Sequence, residues 1–114
     1  MKFTADTLRE TKGVGVMAAR MLRIAKNSYD GDYTPTNDVI DVIADWTTLI
    51  NNVAGFGKTG ASVSDYAFAT LKWLGTPYSL ERYADLIQSV DATHKNNIEK
   101  FIDSNLHKKI YIGD

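Results

Sequence analysis

The feature that most constrains this chain is an apolar stripe that begins after Thr34-Pro35-Thr36 and ends before Gly55. Its members recur at spacings of three and four, and they are Val39, Ile40, Val42, Ile43, Trp46, Leu49, Ile50 and Val53. Because polar residues fill the positions between them, a helix here has one apolar side and one polar side that faces solvent. The pattern predicts a core helix with Trp46 and Ile50 buried at its centre.

The composition is that of an ordinary globular protein. The chain has 114 residues, of which 44% are hydrophobic and 24% are charged, and this is typical of one domain able to bury its own core. We therefore expect a single domain over 1–114. The sequence contains no cysteine, which removes disulfides, thiol catalysis and Cys-based zinc sites.

The charge balance excludes several classes of partner. Thirteen basic residues stand against fourteen acidic ones, so the whole chain carries no field that attracts nucleic acid. The longest mostly apolar stretch, 13–25, is interrupted by Arg20 and Arg23 and is too short to cross a bilayer. We expect no transmembrane span, and the N-terminus lacks the apolar core of a signal peptide.

Caps and glycines divide the first third of the chain. A first helix is expected from Thr4 to about Asn27, in which Gly13 and Gly15 either mark a kink near residues 12–14 or let another helix pack closely. We favour close packing around Gly15 and Ala19. A turn around Gly31 then leads to the helix that carries the apolar stripe, with Thr34 or Thr36 as its cap.

The remainder predicts three further segments of helix. They are a helix from Ser62 or Ser64 to Leu74 that Gly75 and Pro77 end, a helix capped by Ser79, and a helix from Asp91 to about His107 or Lys109. The last two have no Pro or Gly between them, so one bent helix is the alternative. The tail Ile110–Ile112 is apolar and favours β structure. The expected fold is an all-α bundle of four to five helices joined by short Gly/Pro turns.

Two motifs resemble functional sites but depart from their patterns. Gly57-Lys58-Thr59 suggests a phosphate loop, yet position 52 is Asn52 rather than Gly and a helix precedes it instead of a strand. We expect the segment 55–60 to be a flexible connector. The stretch from Leu71 to Ile87 has the outline of a DNA-binding helix-turn-helix, but its second helix carries carboxylates, which favours a corner inside a bundle.

Titratable side chains do not form a recognisable reactive or metal site in the sequence. Asp30, Asp32, Asn37 and Asp38 miss the calcium-loop spacing, and they are better explained as turn formers and helix caps. We expect His94 and His107 to be solvated. The sequence therefore predicts no catalytic, cofactor-binding or metal-ligating residue, and a protein that is not an enzyme.

The first predicted helix carries the best candidate for an interaction surface, which we call the basic stripe. Its candidate contact residues are Arg9, Lys12, Met17, Arg20, Met21 and Arg23. Cations beside apolar side chains suit an acidic partner helix or, as peripheral contact, an anionic lipid surface. A solvated helix face is the alternative.

Part of the chain resembles a known class of phage protein. The features are the Thr34-Pro35-Thr36 start of an amphipathic helix, the Gly/Lys/Ser/Thr-rich stretch 55–64, and Leu74-Gly75-Thr76-Pro77 before Leu80-Glu81-Arg82-Tyr83. Over 33–88 the chain is similar to helical segments near the C-terminal end of very large internal or ejected virion proteins of tailed phages. The resemblance implies a structural or delivery component that works by protein contact or self-association, in the virion or the host cytoplasm.

Two other functions remain open. A small intracellular inhibitor or adaptor that binds one host protein fits the near-neutral charge and the basic stripe. A helix-turn-helix regulator would act through Leu71 to Ile87, and it should bind mixed DNA in a salt-sensitive manner at low ionic strength.

The connector hypothesis for residues 55–60 predicts that Lys58→Ala leaves folding and partner binding unchanged. Exposed substitutions of this kind usually alter stability by no more than about 0.5 kcal/mol. Calorimetry with ATP, GTP and inorganic phosphate is the test. Saturable binding that Lys58→Ala abolishes would instead assign a nucleotide-linked function to the loop.

Overall fold

The computed structural model describes residues 3–53 and 61–112, and it describes side chains as far as residue 103. The helices are α1 (Ala5–Arg9), α2 (Val14–Tyr29), α3 (Asn37–Trp46), α4 (Val63–Leu74), α5 (Pro77–Ile87) and α6 (Ala92–Ile112). Within these residues, regular structure is helical apart from an isolated antiparallel bridge between Asn52 and Ser62. The all-α prediction is confirmed, with six helices where four to five were expected.

The additional helix arises because the first predicted helix is two helices. Gly13 precedes α2 with φ +92° and ψ 127°, a backbone conformation that side chains other than glycine rarely adopt. The chain changes direction there, and Thr11 closes the end of α1 by donating its hydroxyl to the Thr7 carbonyl at 3.1 Å. A single helix from Thr4 to Asn27 is therefore wrong, and the alternative of a kink near residues 12–14 agrees with the structure.

Helix α3 is shorter than its apolar pattern predicted. Thr36 caps its start as expected, with Oγ1 accepting from the Val39 N–H at 3.3 Å. The helix ends at Trp46, and the Thr47 hydroxyl donates back to the Ala44 carbonyl at 2.7 Å. Ile50 lies beyond this end and is 74% exposed, whereas Trp46 is 7% exposed. The prediction for Trp46 is confirmed and the one for Ile50 is wrong, because helical spacing no longer applies after residue 46.

Helix α4 lies at the centre of the molecule. Its first nine residues, 63–71, are all buried, and α2, α3, α5 and α6 each pack against it. Ser62 and Asp65 form a capping box: Ser62 Oγ accepts from the Asp65 N–H at 3.2 Å, and Asp65 Oδ2 accepts from the Ser62 N–H at 2.8 Å. Gly75, at φ +67°, ends the helix as predicted.

Helices α5 and α6 begin at different kinds of cap. Thr76 caps α5 by accepting from the Ser79 N–H at 3.2 Å, and Pro77 occupies the first turn. The prediction that Ser79 is the cap is wrong, since proline suits the first helical position. Asp91 accepts from the His94 N–H at 2.8 Å, which confirms that α6 is a separate helix. It continues to Ile112, so the backbone of 110–112 is helical although its residues favour β structure.

Aromatic side chains join α4 to α6 and α5. The rings of Tyr66 and Phe101 meet edge to face at 5.0 Å, and those of Trp73 and Phe101 stack at 6.3 Å. Phe68 meets Tyr83 edge to face at 5.8 Å.

Burial, with the Asp65 carboxylate beside it, raises the pKa of Tyr66 to about 12.

Truncating Trp46 to Ala should lower the free energy of unfolding by about 3–5 kcal/mol, because a large buried ring leaves a cavity. Ile50→Ala is the matched control at an exposed position of the same apolar pattern. It should change stability by no more than about 0.5 kcal/mol. Urea unfolding measures both, and similar losses for the two variants would contradict the assignment.

Stability should fall as the pH rises from about 10 to about 12. The pKa of Tyr66 is about 12 in the folded chain against 10.0 for an ordinary tyrosine. The unfolded chain therefore loses its phenolic proton first, which lowers its free energy relative to that of the folded chain over this range. Urea unfolding at a series of pH values tests this. Tyr66→Phe should reduce the alkaline slope, and an unchanged slope would refute the role of this group.

Candidate functional site

The structure separates the residues of the predicted basic stripe. Arg9 lies on α1, where it pairs with Asp6 at 3.3 Å, and Lys12 is exposed in the turn before α2. Met21 is fully buried in the core, and Met17 is half-buried against the core. The two methionines therefore serve packing, and Met21 is absent from the surface that the sequence predicted.

Arg20 holds α1 against α2. Its Nη1 donates to the Thr7 carbonyl at 3.4 Å and also to the Thr11 hydroxyl. Both acceptors lie at the end of α1, so this guanidinium fixes the turn that Gly13 makes possible. Arg20 is half-buried in these contacts and has a structural role.

The part of the basic stripe that stays on the surface is narrow. Val16 is 46% exposed on α2, and Arg23 lies two helical turns further along the same side. One exposed valine among charged side chains is ordinary for a protein surface. This face by itself does not distinguish a binding site from a solvated helix.

A concave surface that the sequence did not predict lies between α5 and α6. Both helices pack on α4, and a groove of about 480 Å³ opens between them. We call it the α5–α6 groove, and it is lined by Lys72, Leu80, Tyr83, Ala84, Ile87, Gln88, Lys95 and Glu99. Leu80, Tyr83, Ala84 and Ile87 have helical spacing. Tyr83 and Ile87 are buried, whereas Leu80 is 38% exposed and Ala84 is exposed as well.

Tyr83 forms a fixed part of the groove wall. Its ring packs against Phe68 at 89°, and the Lys72 ammonium lies 4.8 Å from the ring centroid, within the range of a cation–π contact. Burial raises the pKa of Tyr83, and the carboxylates of Glu99 and Asp103 raise it further. The α6 carboxylates therefore lie close enough to this hydroxyl to act on it electrostatically.

A polar cluster on the other side of α5 attaches that helix to α3. The Tyr78 hydroxyl donates to Asp41 Oδ1 at 2.5 Å, and Arg82 Nε lies 3.5 Å from the same oxygen. The hydrogen bond to Asp41 is the main cause of a raised pKa at Tyr78. Because Tyr78 and Arg82 face α3, the opposite side of α5 is left to form the groove.

A second concavity, of about 660 Å³, lies near the start of the chain. It is lined by Phe3, Thr4, Asn27, Asp32, Tyr33, Thr34 and Thr36. Its best-placed groups already have partners: the Tyr33 hydroxyl donates to the Phe3 carbonyl at 2.7 Å, and Thr4 and Thr36 cap α1 and α3. These contacts explain the cavity as a junction between helix ends.

The serine and histidine that meet in the fold are not arranged for catalysis. Ser64 Oγ lies 3.3 Å from His94 Nε2, but Ser64 is fully buried and a substrate cannot reach its hydroxyl. His94 is half-buried rather than solvated as predicted, and the His107 side chain lies outside the described residues. Among the described residues no cluster of His, Cys, Asp and Glu has the makings of a metal site.

The remaining motifs can be placed only in part. Glu81 and Asp85 are exposed on α5, the helix that a helix-turn-helix would insert into DNA, and exposed carboxylates there repel phosphates. The segment 54–60, which contains Gly57-Lys58-Thr59, lies outside the described residues. Among the described helices none is both long enough and apolar enough to span a membrane.

Comparison with known proteins adds no relative. No protein-family model, no curated protein and no solved structure matches the chain. The functional assignment therefore depends on the residues and surfaces described above.

Proposed function

We propose that this chain is a non-enzymatic protein-binding module whose contact surface is the α5–α6 groove. The observation that carries the proposal is the concave shape of that groove together with its apolar lining, on a helix whose other side is already packed. Partly exposed Leu80 and Ala84 lie beside the buried Tyr83 and Ile87. Concave surfaces with an apolar floor and charged edges are the usual sites of ligand and partner binding.

The contacts of the polar side chains favour a binding function over a catalytic one. Arg20 joins α1 to α2, Asp41 joins α3 to α5, and Ser64 joins α4 to α6. Each of these groups is engaged in holding helices together. The groups best placed for reactions are therefore parts of the scaffold that presents the groove.

The specific form of the proposal is a structural or delivery component of a tailed-phage virion. Its support is the resemblance over 33–88, a range that contains α3, α4 and α5 and so one wall of the groove. Peptide mass spectrometry of purified particles from the source tests this form. Absence of the chain from the particles would remove the virion role and leave the binding module.

An intracellular inhibitor or adaptor is the second candidate, and it would use the same groove. It differs in the outcome of affinity capture: an inhibitor retains one stoichiometric host protein, whereas a virion component associates with itself or with other virion proteins. The exposed carboxylates of α5 make the DNA-binding candidate the least supported of the three.

Ala84→Arg should abolish partner capture, because a long charged side chain would occupy the groove. Ala92→Arg adds the same charge at another exposed alanine, on α6 outside the groove lining, and should leave capture unchanged. The measurement is quantitative co-purification with each tagged variant, after circular dichroism has shown that both fold. Equal capture by the two variants would refute the groove as the contact surface.

A further inference from the structure

We infer that the α5–α6 groove binds an amphipathic helix of a partner protein, with a carboxylate beside Lys95 and a cation about two turns away beside Glu99 and Asp103. This inference rests on the proposed protein-binding function and adds the chemistry of the partner. It follows from the apolar stripe on α5 and from the order of charges along α6.

The apolar stripe has the spacing that a helix recognises. Leu80, Tyr83, Ala84 and Ile87 stand at positions i, i+3, i+4 and i+7 of α5, and all four line the groove. A partner helix laid along such a stripe contacts it with side chains at the same spacing. The groove volume of about 480 Å³ is enough for a few apolar side chains of the partner.

The charges on the α6 side have a fixed order. Lys95, Glu99 and Asp103 are exposed and stand four residues apart, so each is about one helical turn, or roughly 6 Å, from the next. Lys95 and Glu99 line the groove, and Asp103 lies one turn beyond Glu99 on the same side of α6. The groove edge is therefore positive near the α5–α6 turn and negative further along.

The other groove walls do not reverse this order. Lys72 on α4 has its ammonium over the Tyr83 ring, in the part of the groove that Glu99 lines. The two carboxylates of Glu99 and Asp103 still outnumber this one cation there, and Gln88 on α5 is uncharged. A membrane surface or a nucleic acid backbone presents one sign of charge, and it would meet repulsion at Glu99 and Asp103 if it were attracted to Lys95. A protein helix with opposite charges two turns apart fits both ends of the edge.

Two synthetic peptides of identical composition test the inference. Both are helical and carry leucines at the stripe spacing; one has Glu facing Lys95 and Lys facing Asp103, and the other has these residues exchanged. Fluorescence anisotropy should show the first peptide binding roughly tenfold more tightly at low salt. Each exposed ion pair is weak, but both pairs are attractive in the first peptide and repulsive in the second.

The protein variant that reverses the order is Lys95→Glu with Asp103→Lys, which keeps the net charge constant. It should exchange the preference between the two peptides. Lys100→Glu is the control, because Lys100 is exposed on α6 and does not line the groove; it should leave the preference unchanged.

Several outcomes would overturn the inference. Equal affinities of the two peptides, or a preference that the charge-exchanged variant does not reverse, would reject the charge order. Peptide binding that survives Ala84→Arg would place the helix elsewhere, and self-association lost in Ala84→Arg would assign the groove to a second copy. If neither peptide binds but Ala84→Arg still abolishes partner capture, the inferred partner chemistry is wrong and the proposed function stands. If neither peptide binds and Ala84→Arg leaves capture unchanged, the inference and the proposed function both fail.

Discussion

Helix α4 can be surrounded by four other helices only because its first turn carries its own hydrogen-bond partners. Backbone N–H groups at the start of a helix have no partners within the helix, and leaving them unsatisfied in a core costs about 1–3 kcal/mol each. Ser62 and Asp65 satisfy two such groups reciprocally. Further along, the Thr70 hydroxyl donates to the Tyr66 carbonyl at 2.7 Å. With the start of the helix capped in this way, α4 becomes the common support for its neighbours.

The α5–α6 groove is a consequence of that shared support. Gly75 ends α4 in a left-handed conformation, and Thr76 with Pro77 starts α5 within two residues. Tyr78 and Arg82 then attach α5 to α3 through Asp41, while Ile98, Phe101 and Ile102 of α6 pack into or against the core. Because α5 is attached to α3 while α6 packs on the core, the two helices leave a gap between them. Part of the apolar surface of α5 lies in this gap.

Local signals along the chain were sufficient for most helix boundaries. The Thr36 cap, the Gly31 turn, the Gly75 stop and the Asp91 start all depend on residues within a few positions, and each is present in the structure. The errors have local causes as well. Ser79 was interpreted as the cap of α5, although Pro77 already lies in its first turn. Close packing around Gly15 was favoured over the kink that Gly13 forms with its φ of +92°.

Ile50 shows why an apolar pattern alone does not define a core. Its spacing continued that of Trp46, but the chain leaves the helix at Thr47 and forms backbone hydrogen bonds to the next segment, including Val53 N–H to the Ala61 carbonyl at 2.9 Å. These bonds join residues that are farther apart along the chain than the hydrogen-bonded residues of a helix. The direction of Ile50 is therefore set by chain pairing, which periodicity does not report.

The sequence by itself determined the fold class, the buried position of Trp46 and the caps of most helices, because these depend on periodicity and on residues close along the chain. Only the tertiary structure decided which candidate surface is available. Arg20 and Met21 were predicted to contact a partner, but one holds α1 in place and the other is buried. Leu80 and Ala84 share their helical spacing with buried residues and line the α5–α6 groove. Exposure depends on how helices distant in sequence pack on α4, and this is information that no local pattern contains.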